Sequence, residues 1–191
     1  LPGHDVTGPD DPRWAHLLAE AARQVGHDRP SALHDGADGD VLVGEDRLAE
    51  QLAAVDPERR GTVAPLATAG DTTALCVVDS ERTGVVLIQS NAGAWGTGVA
   101  ERESGIFLHS RGIGFSLQAG HPAEWAPGVR PPHTLAPALV TTPEGRLRLV
   151  LGTMGGDGQP QFLLQLLARA LQGGEAPGPA LDAGRWVLGR G

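Results

Sequence analysis

The chain has 191 residues, a 40% apolar share and a net charge of −8, from 15 Lys+Arg against 23 Asp+Glu. That length and composition suit one folded domain with a real core and exclude a disordered polar tract. The acidic balance, the absence of tyrosine and the lack of a basic run interleaved with aromatics offer a phosphate backbone no favourable field, so nucleic-acid binding is not expected.

Residues 1–10 read as a loop. Asp11 followed by Pro12 gives an N-cap with proline at the first helical position. Trp14, Leu17, Leu18, Ala21, Ala22 and Val25 then recur at helical spacing, and Gly26 and Pro30 bracket the helix end. The polar stretch 34–40 reads as a loop. It has the acidic look of a calcium loop but lacks the glutamate of the twelfth EF-hand position, so no metal is expected there. A second helix is expected over residues 45–55, with Leu48, Leu52 and Val55 inward, stopped by Asp56-Pro57. Residues 59–69 have no period and hold Gly61 and Pro65, which reads as an exposed linker.

Beyond the linker the chain is strand-rich. Residues 73–78 and 85–89 are nearly continuous apolar runs joined by a hairpin-like connection, a pattern that suits strands covered on both faces. Residues 105–109 read as a third strand, and 138–142 with 147–151 as another hairpin across Pro143-Glu144-Gly145. A helix is expected over 159–172, with Phe162, Leu163, Leu166, Leu167 and Ala170 inward and Gly173-Gly174 ending it. The fold class is therefore α+β. Cys76 is the sole cysteine, lies in an apolar strand and reads as a small buried hydrophobe. No apolar run approaches the ~20 residues of a membrane helix, and residues 1–5 do not resemble a signal peptide.

The most informative stretch is Gly70-Asp71-Thr72-Thr73, where a polar turn runs directly into a strand. A threonine at a strand start is ordinary, but it is also a nucleophile once the peptide bond before it is cut. Its freed α-amine then serves as base for its own hydroxyl. Downstream come Gly84 to Asn91, Trp95-Gly96-Thr97-Gly98, Ser104 to Leu108, Pro127 to Pro137 and Leu151 to Pro160 with Gly155-Gly156-Asp157. In that order and spacing these segments resemble the small subunit of the γ-glutamyltranspeptidase family of N-terminal-nucleophile hydrolases. The likeness runs over residues 70–188, and the helix at 14–29 resembles the end of the family's large subunit.

The resemblance implies a four-layer αββα sandwich and a division into a large-subunit-like segment, 1–71, and a small-subunit-like catalytic segment, 72–191, together forming one domain. It implies autoproteolysis at Asp71-Thr72, with Thr72 as nucleophile. Ser90 stands at the place of a second family threonine that contacts the nucleophile's amine, and Gly155 and Gly156 stand at the oxyanion-stabilising glycine pair. The departures concern the substrate. The family's asparagine two residues after that second threonine is Ala92 here, with Asn91 one residue early and so on the opposite strand face. The aspartates that grip a substrate ammonium align with Ile113-Gly114, and the serine pair that holds the α-carboxylate aligns with His133-Thr134. Arg111 lies near enough in sequence to serve a carboxylate instead.

An ammonium taken from water needs a negative or strongly polar partner, so these departures resemble a transpeptidase-like acylase branch more than glutathione-processing enzymes. The expected activity is that of an amide hydrolase or acyltransferase using no metal and no organic cofactor. Its partners would be a small amide or γ-glutamyl-like substrate and the remainder of the large subunit, in an assembly compatible with a homo-oligomer. The alternatives are a non-catalytic or unprocessed fragment that keeps the fold, and a true γ-glutamyl enzyme. A cytoplasmic location fits the absence of a signal segment. By the resemblance, however, the chain begins inside the large subunit, where such a segment would already be missing.

Overall fold

The computed structural model describes residues 3–62 and 72–189. Gly70, Asp71 and most of the expected linker lie outside the described residues.

Helix α1 (Pro12–Gly26) starts as its sequence dictates. The Asp11 carboxylate accepts from the Arg13 N–H at 2.9 Å, and Pro12 occupies the first turn, where its missing N–H costs no bond. The inward stripe then buries Trp14, Leu17 and Leu18. Trp14 and Leu18 meet Ala168 in the central cluster, with Val6, Leu164 and Trp186 packed around it. The core therefore sits between α1 and the long C-terminal helix. Replacing Trp14 by alanine is expected to cost about 3–5 kcal/mol in denaturant unfolding, since the indole fills that junction.

The C-terminal helix is less regular than expected. It runs as α5 over Gln159–Leu167 and then widens into a π-type turn over Ala168–Gln172. The Gly173 N–H closes the end on the Ala168 carbonyl at 3.0 Å. The long polar side chain of Gln165 donates to the Trp186 carbonyl at 2.7 Å and accepts from the Trp186 N–H at 3.1 Å, which holds the C-terminal segment against the helix.

Three expectations about the helical part are corrected. Val25 on α1 is exposed, as are Leu48 and Leu52 on α4 (Glu45–Ala53). The reason is that α4 docks on α1 through amides rather than through its leucines. Gln51 Nε2 donates to the Gln24 carbonyl at 3.2 Å, and Gln24 Nε2 donates to the Ala54 carbonyl at 3.5 Å. Beside them the buried Glu20 carboxylate pairs with Arg23 at 3.2 Å and accepts from the Gly61 N–H at 2.8 Å. Between α1 and α4 lie two short helices, α2 (Arg29–Ala32) and α3 (Gly39–Leu42). The second begins inside the stretch expected as loop, because Asp38 caps the Asp40 N–H at 2.9 Å.

Strands β1 (Thr72–Val78) and β2 (Gly84–Ser90) form an antiparallel hairpin in the register Thr72↔Ser90, Ala74↔Ile88, Val78↔Gly84. Asp79 closes its turn by accepting from the Glu81 and Thr83 N–H groups at 2.9 and 2.8 Å. Strands β3 (Ala138–Thr141) and β4 (Leu147–Leu151) form the second hairpin, with an irregularity at Val140/Thr141. The hairpins pack against each other closely. A Cβ at Gly84 would lie 2.7 Å from Leu147 and Val150, and one at Gly152 would lie 3.0 Å from Val86 and 3.4 Å from Ala74.

The expected strand over 105–109 is instead the arm of a local loop. It carries one bridge, Ala100↔Phe107, with hydrogen bonds between residues 97–101 and 106–108, and it joins neither sheet. Among the described residues, helices and two two-stranded sheets make the fold α+β. The outer face of the first hairpin, with Leu75, Val77, Val85 and Leu87, is about half exposed in each case. The apolar runs predicted cover on both faces, and within the described residues only one face has it. Cys76 is exposed as well, contrary to its expected burial. Among the described residues no helix is long and apolar enough to cross a membrane.

Candidate active site

Strand alternation sorts the threonine pair. Thr72 is 7% exposed and faces inward, whereas Thr73 is exposed on the other face. The Thr72 Oγ1 is buried and has no hydrogen-bond partner among the described residues. A hydroxyl left so is costly to keep, about 1–3 kcal/mol, and calls for a reason.

Directly across the hairpin stands Ser90, on the same face as Thr72. Its Oγ accepts from the Ala92 N–H and from Arg111 Nη2, both at 3.1 Å. Two donors occupy both lone pairs of a hydroxyl, so further bonding by Ser90 Oγ is donation of its own proton. The first donor is aimed by strain. Ala92 is buried and holds a φ of 74°, a left-handed conformation costing a non-glycine residue of order 1 kcal/mol.

Arg111 starts a short 3₁₀ turn, Arg111–Gly114, and its Nη1 also donates to Thr134 Oγ1 at 3.4 Å. Both acceptors are neutral hydroxyls, and partial burial lowers the guanidinium's proton affinity. Thr134 and His133 lie on the loop ahead of β3. The Nδ1 of His133 accepts from the Leu135 N–H at 3.2 Å, which leaves the Nε2 edge as the donor of the neutral ring. Arg111, His133, Thr134, Ala92, Ile113 and Gly114 all line one cavity of about 530 Å³. Asn91 does not line it and engages through its carbonyl, which accepts from the Ser110 N–H and Oγ at 2.9 and 3.2 Å.

The glycine pair follows β4. Gly155 has a φ of 120° and Gly156 a φ of 54°, both in the region that favours glycine. A Cβ at Gly155 would also strike the Phe162 ring at 2.7 Å. Gly152 lies against Ala74 and Ile88, the pair neighbouring Thr72 and Ser90 on the same sheet face. Three residue steps of at most about 3.6 Å each tether Gly155 to that face. The pair then leads through the Gly156–Gly158 turn into α5.

Two residues not singled out from the sequence organise these loops. Arg29, at the start of α2, forms an ion pair with Asp157 and donates from Nη2 to the His133 carbonyl at 2.8 Å. Burial first, and the charge of Arg111 second, lower its proton affinity, so the two guanidiniums sense each other. Gln159 is fully buried, and its Oε1 accepts from the Ala136 N–H at 3.0 Å, fixing the loop that carries His133 and Thr134. Asp157 lay within the glycine motif. Nothing in the spacing pointed to Arg29, whose ion-pair partner is 128 residues away.

A family model described as gamma-glutamyltranspeptidase matches residues 4–190. Over 186 residues the chain is 36% identical to a glutathione hydrolase-like proenzyme of Bacillus subtilis, covering 93% of this chain and 34% of that protein. It is 34% identical over 185 residues to an oxamate amidohydrolase proenzyme of Klebsiella pneumoniae, covering 95% and 35% of the two chains. The structure matches that of a cephalosporin acylase from Bacillus halodurans with a TM-score of 0.83 at 26% identity, over 98% of this chain and 35% of that one. The chain spans about a third of the length of the curated relatives it matches. With an almost end-to-end family match laid over a strand-start threonine, its facing serine and the glycine pair, the chain belongs to the gamma-glutamyltranspeptidase family.

Proposed function

We propose that this chain is the catalytic portion of an amide hydrolase with acyltransferase capacity, whose nucleophile is Thr72 freed by cleavage of the Asp71–Thr72 bond. The observation that carries the reading is the Thr72 hydroxyl at the first residue of β1, facing Ser90, buried and without a hydrogen-bond partner among the described residues. In maturation, Thr72 Oγ bonds to the Asp71 carbonyl carbon as the C–N bond breaks. The hydroxyl proton passes to the nitrogen, and water then hydrolyses the ester to leave a free amine on Thr72 and a carboxylate on Asp71. In turnover, that amine takes the hydroxyl proton while Oγ attacks a substrate amide. The N–H groups of Gly155 and Gly156 stabilise the tetrahedral oxyanion. The ammonium proton passes to the leaving amine, and water or an acceptor amine then releases the acyl group.

Ser90 contacts the freed Thr72 amine across the hairpin and holds it beside the hydroxyl, leaving the amine's lone pair to take the hydroxyl proton. Arg111, Thr134 and His133 contact the acyl group, with Asn91 at the edge of the site. Residues 1–71 act as the end of a large subunit and 72–191 as the small one. The rest of a large subunit covers the bare face of the first hairpin and completes a four-layer αββα sandwich. That two relatives are named as proenzymes, one of them for amide hydrolysis of oxamate, supports the reading.

Intact-mass measurement and N-terminal sequencing of the purified protein test it. Two pieces are expected, one beginning at Thr72, together with release of aniline from N-acyl anilides. A single uncut chain inert toward every acyl anilide overturns the proposal in favour of a non-catalytic module.

A further inference from the structure

The glycine loop has little of its own to hold it. Gly155 and Gly156 carry no side chains to pack, and their φ values of 120° and 54° are conformations they can leave at small cost. What fixes the loop is a relay of peptide planes. The Gly156 N–H shares a rigid plane with the Gly155 carbonyl, and that carbonyl accepts from the Gly158 N–H at 2.9 Å. The Gly158 N–H belongs in turn to the plane of the Asp157 carbonyl. Asp157 supplies the first side chain after the glycine pair, and its carboxylate forms the ion pair with Arg29.

Arg29 is placed to hold rather than to bind. Its side chain is 16% exposed, and its guanidinium grips two loops at once, Asp157 from Nη1 and the His133 carbonyl from Nη2 at 2.8 Å. It precedes the Asp71–Thr72 bond, so in a cut chain this contact joins two separate pieces. A second ion pair crosses the same boundary, from Arg130 Nε to Asp35 Oδ1 at 2.9 Å, but Arg130 is 87% exposed and the pair takes no part in the relay.

We infer that Arg29 is a positioning residue for the oxyanion, acting through Asp157 to aim the Gly156 N–H from the far side of the bond that maturation breaks. This rests on Gly155 and Gly156 being the oxyanion donors and deepens that reading. Asp157 is partly exposed, so a carboxylate released from Arg29 turns to water and the turn it anchors relaxes. The plane of the Gly156 N–H moves with that turn. A misplacement on the order of 1 Å is enough to cost about 10²-fold in rate.

Inhibition by phenylboronic acid tests the inference. Thr72 Oγ adds to the boron while the hydroxyl proton passes to the amine, and a boronate oxygen then stands where the oxyanion forms. Arg29→Met is expected to raise the inhibition constant by roughly 10–100-fold and to lower kcat on N-acyl anilides by a similar factor, with KM within about threefold. Arg29→Lys keeps a charge for Asp157 without the fork that also reaches the His133 carbonyl, and is expected to fall between. Asp157→Asn weakens the same pair, so Arg29→Met/Asp157→Asn is expected to lose no more than Arg29→Met alone. Asp35→Ala breaks the other pair across the cut and is expected to leave the inhibition constant unchanged.

The constant is the readout because a variant that merely folds less well has fewer working sites of unaltered affinity. Each protein is assayed after its cut fraction has been read by intact mass, and where Arg29→Met stays uncut, Arg29→Lys and Asp157→Asn carry the comparison. If none of the three is cut, the pair serves maturation and the inference fails. A constant that does not move in the cut variants, or losses that multiply in the double variant, also overturns it. If Gly155→Ala raises the constant and Arg29→Met does not, Arg29 alone is misassigned. If neither raises it, the glycine pair is not the oxyanion site and both readings fall. An unaltered protein that is uncut and inert instead brings down the assignment of Thr72.

Discussion

Thr72→Ala is expected to leave the chain in one piece and to lower amide turnover by roughly 10⁴-fold or more, the scale of loss when a covalent nucleophile is removed. Intact mass and kcat on N-acyl anilides read the two losses separately. The same substitution is expected to leave thermal unfolding unchanged or to raise its midpoint. Thr72 Oγ1 is buried without a partner, so its removal discards a desolvated hydroxyl and forfeits no hydrogen bond among the described residues. Loss of function without loss of stability separates a nucleophile from an ordinary buried strand residue, whose truncation would destabilise. Thr72→Ser keeps the hydroxyl and is expected to retain scission at a reduced rate. A Thr72→Ala protein that is still cut at the same bond and still turns over places the chemistry on another residue.

The parts of the fold fixed by short-range rules were legible beforehand. Asp11-Pro12 set the start of α1, and the Asp79 turn with its flanking apolar runs set the first hairpin to within a residue. What failed were inferences that every apolar position is covered. Leu48, Leu52, Leu75, Val77 and Cys76 are exposed because cover depends on what packs there, and hydropathy alone does not report that. On α4 the docking contacts are glutamine amides, which carry no periodic signal. The site shows the same division. Thr72 was singled out by its place at a strand start and Ser90 by the family resemblance, and the register puts them face to face. The Arg29–Asp157 pair and the bond from Arg111 to Ser90 join segments far apart in the chain, so only the folded structure brings them together. Asn91, one residue past Ser90, does not line the cavity, whereas Ala92 does.

Gly155→Ala carries the second large effect. A methyl group there meets the Phe162 ring at 2.7 Å, and the residue must also hold a φ of 120°, which side-chain-bearing residues avoid. The loop has to turn its peptide planes to relieve both, and these planes carry the N–H groups proposed for the oxyanion. Displacing such a donor costs about 10²–10³ in kcat. Because the oxyanion exists only once the carbonyl has been attacked, KM should stay within about threefold while kcat falls. Gly156→Ala meets a milder demand at a φ of 54° and is expected to lose less. The double variant Gly155→Ala/Phe162→Leu tells the two strains apart, since a smaller side chain relieves the clash but not the dihedral. Recovery of most of kcat would assign the loss to the ring. No recovery would assign it to the backbone, as a donor fixed by two consecutive positive-φ glycines requires. If instead Gly155→Ala raises KM with kcat intact, the loop binds ground-state substrate, and the oxyanion must be met by other N–H groups near Thr72.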